Sequence, residues 1–414
     1  MKHYLYVLIV LLFLGCSGKT PTATDAEEIS NIIDLSSGLK NIQTVLLSEI
    51  VDSITFIPFE TTQESLQGQG QNSLIYFSSQ NIFYANKRYD WTGKYLGSIG
   101  RRGQGPYEEP EGVWSVLFKN NHFYSKGSKF IEYDITGKST GKVRNLYTTK
   151  DFGYEGILMQ GGTFFSVGDN FAVYNYPLDI YFFNKNFETL YTRKIVEVDS
   201  VKPIYQGIGE QNAISYYKDH VLFYNFMNDT IFYVKDSYLE PKWIVSFNDP
   251  SRLTTEAILN ADELLREYVL ALRSGNSLES TECIRLTDNK HKVIAVYETE
   301  KYMFFQMTEI IQFAEPRGKQ RPEPYVVLFD KQTGKTVRVK GNGFIDDILG
   351  MDTFYPLLGV YDEKLITYIW PFELLKYIDE CREKGKEVNP QLIELSKKID
   401  AEDNPILILA HLKK

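Results

Sequence analysis

One phrase recurs in the sequence and constrains the fold more than any other feature. It reads RYDWTGKYLGSIG from Arg88, EYDITGKSTGKV from Glu132 and LFDKQTGKTVRV from Leu328, with a weaker copy, FFNKNFETLYTRKI, from Phe182. Each copy joins two strand-like segments through Asp or Asn and a turn, and the glycine of TGK adopts the positive φ of such turns at little cost. Each copy therefore predicts a β-hairpin. The copies from Arg88, Glu132 and Phe182 start 44 and 50 residues apart, and a period of this length predicts the blades of a β-propeller.

The rest of the chain supports an all-β fold. The 414 residues include 29 Tyr and 26 Phe, and aromatic side chains favour the pleated, half-buried surface of strands. Short aromatic or β-branched runs, separated by Gly, Asn and Asp, continue almost to the C-terminus. We therefore predict an all-β, six-bladed β-propeller with two helical inserts. The blades are expected near residues 70–105, 110–148, 152–198, 204–248, 280–340 and 343–370, the last completed by a closing strand.

The two ends of this propeller are expected to meet. A strand near residues 50–58 is predicted to join the same blade as the segment 404–412, because such a closure hides the two sheet edges that an open ring would expose. The helical inserts are predicted at 252–276 and 371–402, where apolar residues follow helical spacing. Asn389-Pro390 should separate two helices within the second insert.

The N-terminus has the features of a targeting segment. A basic start precedes an apolar run over residues 4–14, and Gly15-Cys16 then resembles a lipobox, although Phe13 stands where Leu is usual. A plain secretory signal or a membrane anchor is the alternative. We predict a lipoprotein signal peptide over 1–15, lipidation of Cys16, a flexible tether over 16–45 and the propeller over 46–414.

The other two cysteines do not indicate a metal site. Cys283 and Cys381 are far apart in the chain and match no zinc pattern. Two buried single thiols are the expected state, and a disulfide between them is the alternative.

The stretch 88–137 resembles the NHL-type repeat. The residues that carry the resemblance are Tyr89-Asp90, Thr92-Gly93-Lys94, Gly100, Gly103, Gly105-Pro106 and Pro110-Glu111-Gly112-Val113. The mature chain is also similar to six-bladed β-propeller lipoproteins of Bacteroidetes-type bacteria, through IGRRGQGPYEE, NDTIFYV, FDKQTGK, DDILGMDTFYP and DNPILILAHLK. Tyr107 departs from that family, which usually has Gly after Gly-Pro, and a positive φ there would strain a tyrosine.

Arg101 and Arg102 lie in the glycine-rich stretch that this resemblance covers. With the backbone N–H groups of the glycines they could hold a phosphate or carboxylate. However, strand-like segments follow the stretch, and phosphate loops depend on the N-terminus of a following helix. We expect a connection between two blades, in which Arg101, Arg102 and Tyr107 face either a partner or water.

Asp346 and Asp347 are the other candidate site residues. They could act as an acid–base pair or bind a cation. Adjacent residues of a strand point to opposite faces, so a shared site would require a loop. The alternative, which we favour, is that one of them caps the turn into the last blade. Glu108, Glu109 and Glu111 are expected to form a solvated acidic turn rather than a cation site.

The sequence contains no HExxH motif and no EF-hand loop, and its one match to GxSxG, GKSTG at 137–141, lies within a predicted β-hairpin instead of the strand–turn–helix that a nucleophilic serine of this kind needs. We therefore expect a monomeric, non-enzymatic binding or scaffold module for a protein, peptide or glycan, without a cofactor. The alternative is a lyase or hydrolase acting on glycan or peptide in the central channel, with Ca²⁺ as a possible cofactor. The net charge of −9 argues against nucleic acid as a partner. The lipid would anchor the protein in the cell envelope, with the outer membrane favoured and with the protein facing the periplasm; exposure on the cell surface is the alternative.

Replacing Cys16 with Ala should abolish acyl labelling and release the protein from the membrane fraction, because the thiol is the attachment point. The measurement is fractionation and metabolic acyl labelling of wild type and Cys16→Ala, with Cys381→Ala as the matched control. Normal membrane retention of Cys16→Ala would contradict lipidation.

Overall fold

The computed structural model describes residues 31–67, 75–109, 115–145, 163–195, 214–260, 290–310 and 324–414, with short gaps at 79, 85, 127–128, 176–178, 187, 226–227, 236–237, 255, 258–259 and 357. The signal segment, Cys16, Cys283 and most of the predicted helix at 252–276 lie outside the described residues.

The N-terminal part contains three strands and two short helices. They are β1 (Ile32–Asp34), α1 (Leu35–Lys40), β2 (Ile42–Gln43), α2 (Leu47–Ile50) and β3 (Val51–Pro58).

Six antiparallel four-stranded meanders follow one another as the blades of the propeller. We name the strands of each blade A to D from the channel outwards. Blade 1 contains β4 (Ile75–Phe77), β5 (Ile82–Tyr84), β6 (Lys87–Tyr89) and β7 (Tyr95–Ser98). Blade 2 contains β8 (Ser115–Lys119), β9 (His122–Lys126), β10 (Lys129–Tyr133) and β11 (Ser139–Asn145). Blade 3 contains β12 (Thr163–Val167), β13 (Asn170–Asn175), β14 (Asp179–Phe183) and β15 (Thr189–Lys194).

The second half of the ring has the same order. Blade 4 contains β16 (Ile214–Tyr217), β17 (His220–Tyr224), β18 (Thr230–Val234) and β19 (Leu239–Ser246). Blade 5 contains β20 (Lys290–Glu298), β21 (Tyr302–Ile310), β22 (Tyr325–Asp330) and β23 (Thr336–Val339). A small hairpin, β24 (Phe344–Ile345) and β25 (Thr353–Phe354), precedes blade 6. Blade 6 contains β26 (Gly359–Tyr361), β27 (Lys364–Ile369), β28 (Ile406–Leu412) and, as its outer strand, β3. The predicted six-bladed propeller is confirmed.

The ring is closed by pairing of its two ends. β28 pairs antiparallel with β3, with Ile406 opposite Pro58 and Leu412 opposite Val51. The expected pairing of residues near 50–58 with 404–412 is therefore confirmed. Because β3 comes from the N-terminal side and the rest of blade 6 from the C-terminal side, the pairing joins the two ends of the chain and covers the edge of β28 that would otherwise be open.

Apolar side chains fill every seam between neighbouring blades. The seam between blades 4 and 5 contains Tyr233, Trp243 and Phe305, and the seam between blades 6 and 1 contains Tyr89 and Leu407. The other four seams have their own buried clusters. The alternation of side chains along a strand explains this arrangement, since each blade must present apolar residues on both of its faces.

The recurrent phrase forms the C–D hairpin of blades 1, 2, 3 and 5, as predicted. In blade 1 the Asp90 carboxylate accepts hydrogen bonds from the backbone N–H groups of Thr92 at 2.8 Å and Lys94 at 3.0 Å. Asp134 and Asn184 make equivalent bonds in blades 2 and 3. The acidic or amide side chain thus fixes the turn, which is why Asp or Asn recurs at this place.

Residues 31–58, which we call the N-terminal strap, wind around the outside of three blades. β1 pairs in parallel with the outer strand of blade 4, β2 pairs in parallel with that of blade 5, and β3 completes blade 6. Ile33 and Leu35 are fully buried in the seam between blades 4 and 5. We expected a flexible tether as far as residue 45, but residues 31–45 are part of the fold, because their apolar side chains complete this core.

The second helical insert forms as expected. α3 (Pro371–Glu383) and α4 (Pro390–Ser396) are separated at Asn389, whose side chain accepts from the N–H of Gln391 at 2.8 Å. Both helices pack on the outer part of blade 6. Cys381 of α3 is a buried free thiol. No helix among the described residues is long and apolar enough to cross a membrane.

Two glycines of the TGK turns, one in contact with the next blade and one not, test how much the close contact between blades 1 and 6 contributes to stability. Gly93 and Gly334 both have positive φ, but a Cβ on Gly93 would lie 2.1 Å from the Pro58 carbonyl oxygen of blade 6, whereas one on Gly334 would meet nothing within 4 Å. Gly334→Ala should lower the free energy of unfolding by about 1 kcal/mol through backbone strain alone. Gly93→Ala should cost about 1–3 kcal/mol more, because the seam with the closing blade must shift. Chemical denaturation measures both, and equal losses would contradict the role of this contact.

Candidate binding face

The strand order places the connections of the blades on two faces. The A–B and C–D turns lie together on one face, and the B–C and D–A connections lie on the other, because the four strands alternate in direction. We call the first the turn face, and its A–B turns comprise residues 78–81, 119–122, 167–170, 217–220, 298–302 and 361–364. We call the other the loop face; it carries the second helical insert.

The glycine-rich stretch lies on the loop face between blades 1 and 2. The N–H of Glu109 donates to the Arg101 carbonyl at 3.0 Å, and Arg102 and Glu109 form a parallel bridge. The buried Glu109 carboxylate accepts from the N–H of Lys129 at 3.1 Å. Glu109 is thus an internal brace of the connection, whereas we expected it to be part of a solvated acidic turn.

The glycine-rich stretch wraps around the ammonium group of Lys129, a residue of blade 2. The ammonium group of Lys129 donates to the carbonyl oxygens of Gly105 at 3.0 Å and Glu108 at 2.9 Å. The loop therefore turns carbonyl oxygens inwards, the opposite polarity to a phosphate cradle, which needs inward N–H groups.

The side chains of Arg101, Arg102 and Tyr107 lie outside this brace. Both arginines are exposed, and Tyr107 is 43% exposed. Tyr107 does not have positive φ, so replacing the family's glycine leaves the turn unstrained. Binding by these three residues stays a prediction.

Asp346 is buried at the start of the turn that leads into blade 6. Its Oδ1 accepts from the N–H groups of Ile348 at 3.2 Å and Leu349 at 2.8 Å, while its buried Oδ2 has no hydrogen-bond partner. Burial raises the pKa of this carboxyl, and the neighbouring Asp347 adds to the effect. These contacts are those of a turn cap.

Asp347 binds a different element. Its carboxylate accepts from the N–H of Ser48 at 2.9 Å and from the Ser48 hydroxyl at 2.5 Å. Partial burial opposes ionisation, but the two bonds from Ser48 hold the pKa of Asp347 below its usual value. Asp347 therefore attaches the N-terminal strap to the connection before blade 6, and the two carboxylates have separate partners.

The turn face carries a buried ion pair at the seam between blades 4 and 5. The side chain of Glu298 is only 2% exposed, and its carboxylate accepts from the Lys331 ammonium at 2.9 Å and the Tyr233 hydroxyl at 3.0 Å. Lys331 also donates to the Thr299 carbonyl at 2.7 Å. Removing one partner of such a pair leaves an uncompensated buried charge, so Glu298 and Lys331 need each other.

An exposed group of charges lies next to this pair. The Lys218 ammonium donates to the Glu300 carboxylate at 2.5 Å, and their side chains are 57% and 70% exposed. The Tyr217 hydroxyl donates to Glu300 at 3.2 Å, and the ammonium groups of Lys218 and Lys331 each lie 5.0 Å from the centroid of its ring. This arrangement joins a cation, an anion and an aromatic ring at the channel end of blades 4 and 5.

Blade 6 extends the same group. The carboxylate of Glu363 accepts from the Glu300 N–H at 2.9 Å. Burial raises the pKa of Glu363, helped by repulsion from Glu300, whereas the Lys218 ammonium lowers the pKa of Glu300. We call Tyr217, Lys218, Glu298, Glu300, Lys331 and Glu363 the turn-face cluster.

Sequence reasoning did not identify the turn-face cluster. Its members come from the A–B turns of blades 4, 5 and 6 and from a C–D turn, and no local motif connects them. A signal was present only in the charged turn ETEK at 298–301, which follows a buried strand.

Among the residues that the structure describes, no three His, Cys, Asp or Glu side chains form a group that could hold a metal ion.

Variants of Asp346 test two properties of its carboxyl group: its burial, which raises the pKa, and its hydrogen bonds to the turn. Its folded pKa exceeds the ordinary 3.8, so the stability it contributes is present below that value and is lost as the pH rises through the folded pKa. The stability of Asp346→Asn relative to wild type should therefore increase between pH 3 and pH 7. Asp346→Ala should be about 1 kcal/mol less stable than Asp346→Asn, because it loses both bonds to backbone N–H groups. Denaturation across this pH range measures both effects: a pH-independent difference between Asp346→Asn and wild type would contradict the burial of the carboxyl, and equal stability of Asp346→Ala and Asp346→Asn would contradict the turn cap.

Comparison with known proteins agrees with this architecture. The model of DUF4934, a domain of unknown function, matches residues 30–411. A solved structure from Bacteroides fragilis NCTC 9343, BF0058, whose name describes it as an exported protein, is similar at a TM-score of 0.63 and 16% identity, covering 92% of this chain and 100% of that one. At this identity the similarity shows the fold alone.

Other similarities are weaker. The N-terminal domain of Nup159 aligns at a TM-score of 0.37 and 8% identity, over 82% of this chain and 76% of that one, which is too distant to support an argument. A search of curated proteins found no match. Because the family model covers almost the whole sequence, the chain belongs to the DUF4934 family, a domain family of unknown function.

Proposed function

We propose that this protein is an exported binding module that holds a protein, peptide or glycan ligand on its turn face without transforming it. The observation that carries the proposal is the turn-face cluster, in which an exposed Lys218–Glu300 pair and the Tyr217 ring lie above the buried Glu298–Lys331 pair. Paired charges beside an aromatic ring offer a ligand hydrogen-bond donors, acceptors and an apolar surface at one place.

The rigidity of the turn face supports this role. Lys218, Asp362 and Glu363 have positive φ, as the tight turns of A–B hairpins require. The buried pair of Glu298 and Lys331 supports the exposed charges from below. Side chains held in this way lose little conformational freedom on binding, which favours affinity.

The proposed address is the cell envelope. The name of the similar Bacteroides fragilis protein, which describes it as exported, supports it, as does the lipobox-like Gly15-Cys16. A lipid on Cys16 would anchor the protein in the outer membrane, facing the periplasm. We propose that it acts there as a monomer.

One observation favours a second candidate, a lyase or hydrolase acting on glycan or peptide. The environments of Glu300 and Glu363 move the pKa values of their carboxyl groups in opposite directions, and the Glu363 carboxylate accepts a hydrogen bond from the Glu300 backbone N–H. Such a divergence is how a pair of carboxyl groups acquires acid and base roles. In this alternative Glu363 is the acid and Glu300 the base, and Ca²⁺ is a possible cofactor.

Screening the full-length protein against an array of envelope-derived peptides and oligosaccharides tests the proposal. Glu300→Gln should weaken binding of the selected ligands about tenfold or more, because the charge is lost while the shape is kept; the exposed Lys218–Glu300 pair adds little to stability, so the fold should persist. Lys376→Ala, which removes an exposed charge from α3 on the loop face, is the matched control and should bind as wild type does.

The fate of the ligand separates the two candidates. Mass spectrometry should recover each bound ligand intact after prolonged incubation. Turnover of a ligand that Glu363→Gln abolishes would replace the binding proposal with the enzymatic one. Unchanged binding by Glu300→Gln would remove the turn-face cluster from the site.

A further inference from the structure

The N-terminal strap binds blades 4 and 5 through equivalent contacts that are ten residues apart. The side-chain amide of Asn31 donates to the Lys242 carbonyl at 3.5 Å, and that of Asn41 donates to the Thr336 carbonyl at 3.1 Å. The backbone carbonyl groups of the two asparagines accept from N–H groups of the same outer strands, at 2.9 Å and 3.0 Å. Lys242 and Thr336 therefore occupy corresponding places, and the strap contains a repeat of ten residues per blade.

Both repeats begin with the same element. β1 and β2 directly follow the two asparagines and pair in parallel with the outer strand of a blade. After β1, helix α1 leads to the next blade. Asp34 caps this helix by accepting from the Ser37 N–H at 3.0 Å, and Leu39 is buried. Because the strap passes from blade 4 to blade 5 and then to blade 6, the residues before it approach from the side of blade 3, which packs against blade 4.

The outer edge of blade 3 offers a place for a further repeat. β15 pairs with β14, and no strand pairs with its other edge among the residues that the structure describes. Every residue of β15 except Tyr191 is exposed, whereas the outer strands beneath the strap in blades 4 and 5 contain buried residues. An exposed strand edge of this kind is a template for pairing with another segment of chain.

The sequence just before the strap matches its repeat. The match consists of a helix-capping residue, an apolar residue and the asparagine that binds the outer strand. They are Thr24, Ile29 and Asn31, which stand ten residues before Asp34, Leu39 and Asn41. Thr24 and Glu27 also form a capping-box pattern, which is typical of the start of a helical turn. Residues 22–24 then correspond to β1.

The charge of Glu28 complements blade 4. Glu28 corresponds to Gly38, where a Cβ would lie 2.4 Å from the methyl carbon of Thr336. In blade 4 Lys242 takes the place of Thr336, and its flexible side chain can make room for a glutamate. The Lys242 ammonium lies 5.5 Å from the centroid of the Tyr233 ring and has no carboxylate partner among the described residues. Glu28 would supply that partner.

The charge of Asp25 complements blade 3 in the same way. A parallel strand over residues 22–24 would end beside the last residues of β15, where Arg193 and Lys194 are exposed. Asp25 follows this strand directly. A carboxylate next to cations of a neighbouring strand stabilises the pairing.

We propose that residues 22–30 extend the N-terminal strap by one further repeat. Residues 22–24 form a parallel strand on β15, and residues 25–30 cross the seam to blade 4. There the Glu28 carboxylate pairs with the Lys242 ammonium. The occupant of the open edge of blade 3 is therefore a segment of this chain, and the strap spans four blades.

This extension would shorten the connection to the proposed lipid. β15 runs from the turn face to the loop face, so a strand parallel to it begins at the turn face. Cys16 is six residues before Thr22, a distance of at most about 20 Å in an extended chain. A lipid on Cys16 would then hold the turn-face end of blade 3 close to the membrane. This consequence alone rests on the lipidation of Cys16.

Hydrogen exchange of the full-length protein in detergent tests the inference. The amide groups of residues 22–30 should exchange at least about tenfold more slowly than those of an unfolded chain, because the docked segment is hydrogen-bonded. Glu28→Lys and Lys242→Glu should each speed this exchange about threefold, because each places like charges together. Combining the two substitutions should restore the exchange of wild type. Glu402→Lys, which makes the same charge change at an exposed position before β28, is the control.

Cross-linking of wild type examines the contact between Glu28 and Lys242 directly. A water-soluble carbodiimide joins carboxylate and ammonium groups that touch, and peptide mapping by mass spectrometry should identify a link between these two residues. Glu28→Gln should abolish it. The link between Glu132 and Lys142, whose charged groups are 3.2 Å apart, is the positive control.

Three results would overturn the inference. The first is exchange of residues 22–30 at the rates of an unfolded chain. The second is absence of the Glu28–Lys242 link where the Glu132–Lys142 link is found. The third is protection of β15 that rises with protein concentration while residues 22–30 exchange freely, which would assign the edge to a second copy of the chain. All three measurements are made without a ligand, so failure here leaves the proposed binding function of the turn face standing.

Discussion

The pairing of β3 with β28 is the interaction on which the rest of the structure depends. Six blades can bury both faces of every sheet only if the sixth packs against the first, and that seam exists only when the two ends of the chain share a blade. The closing blade also receives the turn of Gly93 against Pro58. The rings of Phe77, Trp91 and Tyr361 contact one another across the same seam.

The N-terminal strap extends this closure around the rim. Two parallel strand pairs and the buried residues Ile33 and Leu35 bind it to blades 4 and 5 before it enters blade 6. Asp347 holds the strap again through Ser48. Blades 4 to 6 are therefore supported from outside, and these three blades supply the turn-face cluster. The charged residues of a binding face gain from such support, because their geometry depends on how firmly neighbouring blades are held.

The charged side chains have different roles on the two faces of the propeller. On the loop face, Lys129 fills the carbonyl-lined loop, the Glu109 carboxylate accepts from a backbone N–H group, and Asp346 caps a turn, whereas Arg101 and Arg102 are exposed. On the turn face, charges and rings from separate blades meet at the surface. The Asp and Gly residues that allowed the hairpins to be predicted from the sequence form turns. The residues of the candidate site belong to no sequence motif.

The sequence by itself determined the blades, their number and the pairing of the two ends. Hairpins depend on contacts between residues close in the chain, and the alternation of apolar residues and the Asp–Gly turns record those contacts locally. The order of residues 31–45 was missed because their small, polar neighbours resemble a linker, and only the seam between blades 4 and 5 gives Ile33 and Leu35 a place to be buried. The turn-face cluster and the contact of the Phe77 and Tyr361 rings were decided by the tertiary structure alone. Tyr217, Glu300 and Glu363 belong to different blades, as do Phe77 and Tyr361, and residues so distant in the chain come together only when packing sets the angle between neighbouring sheets.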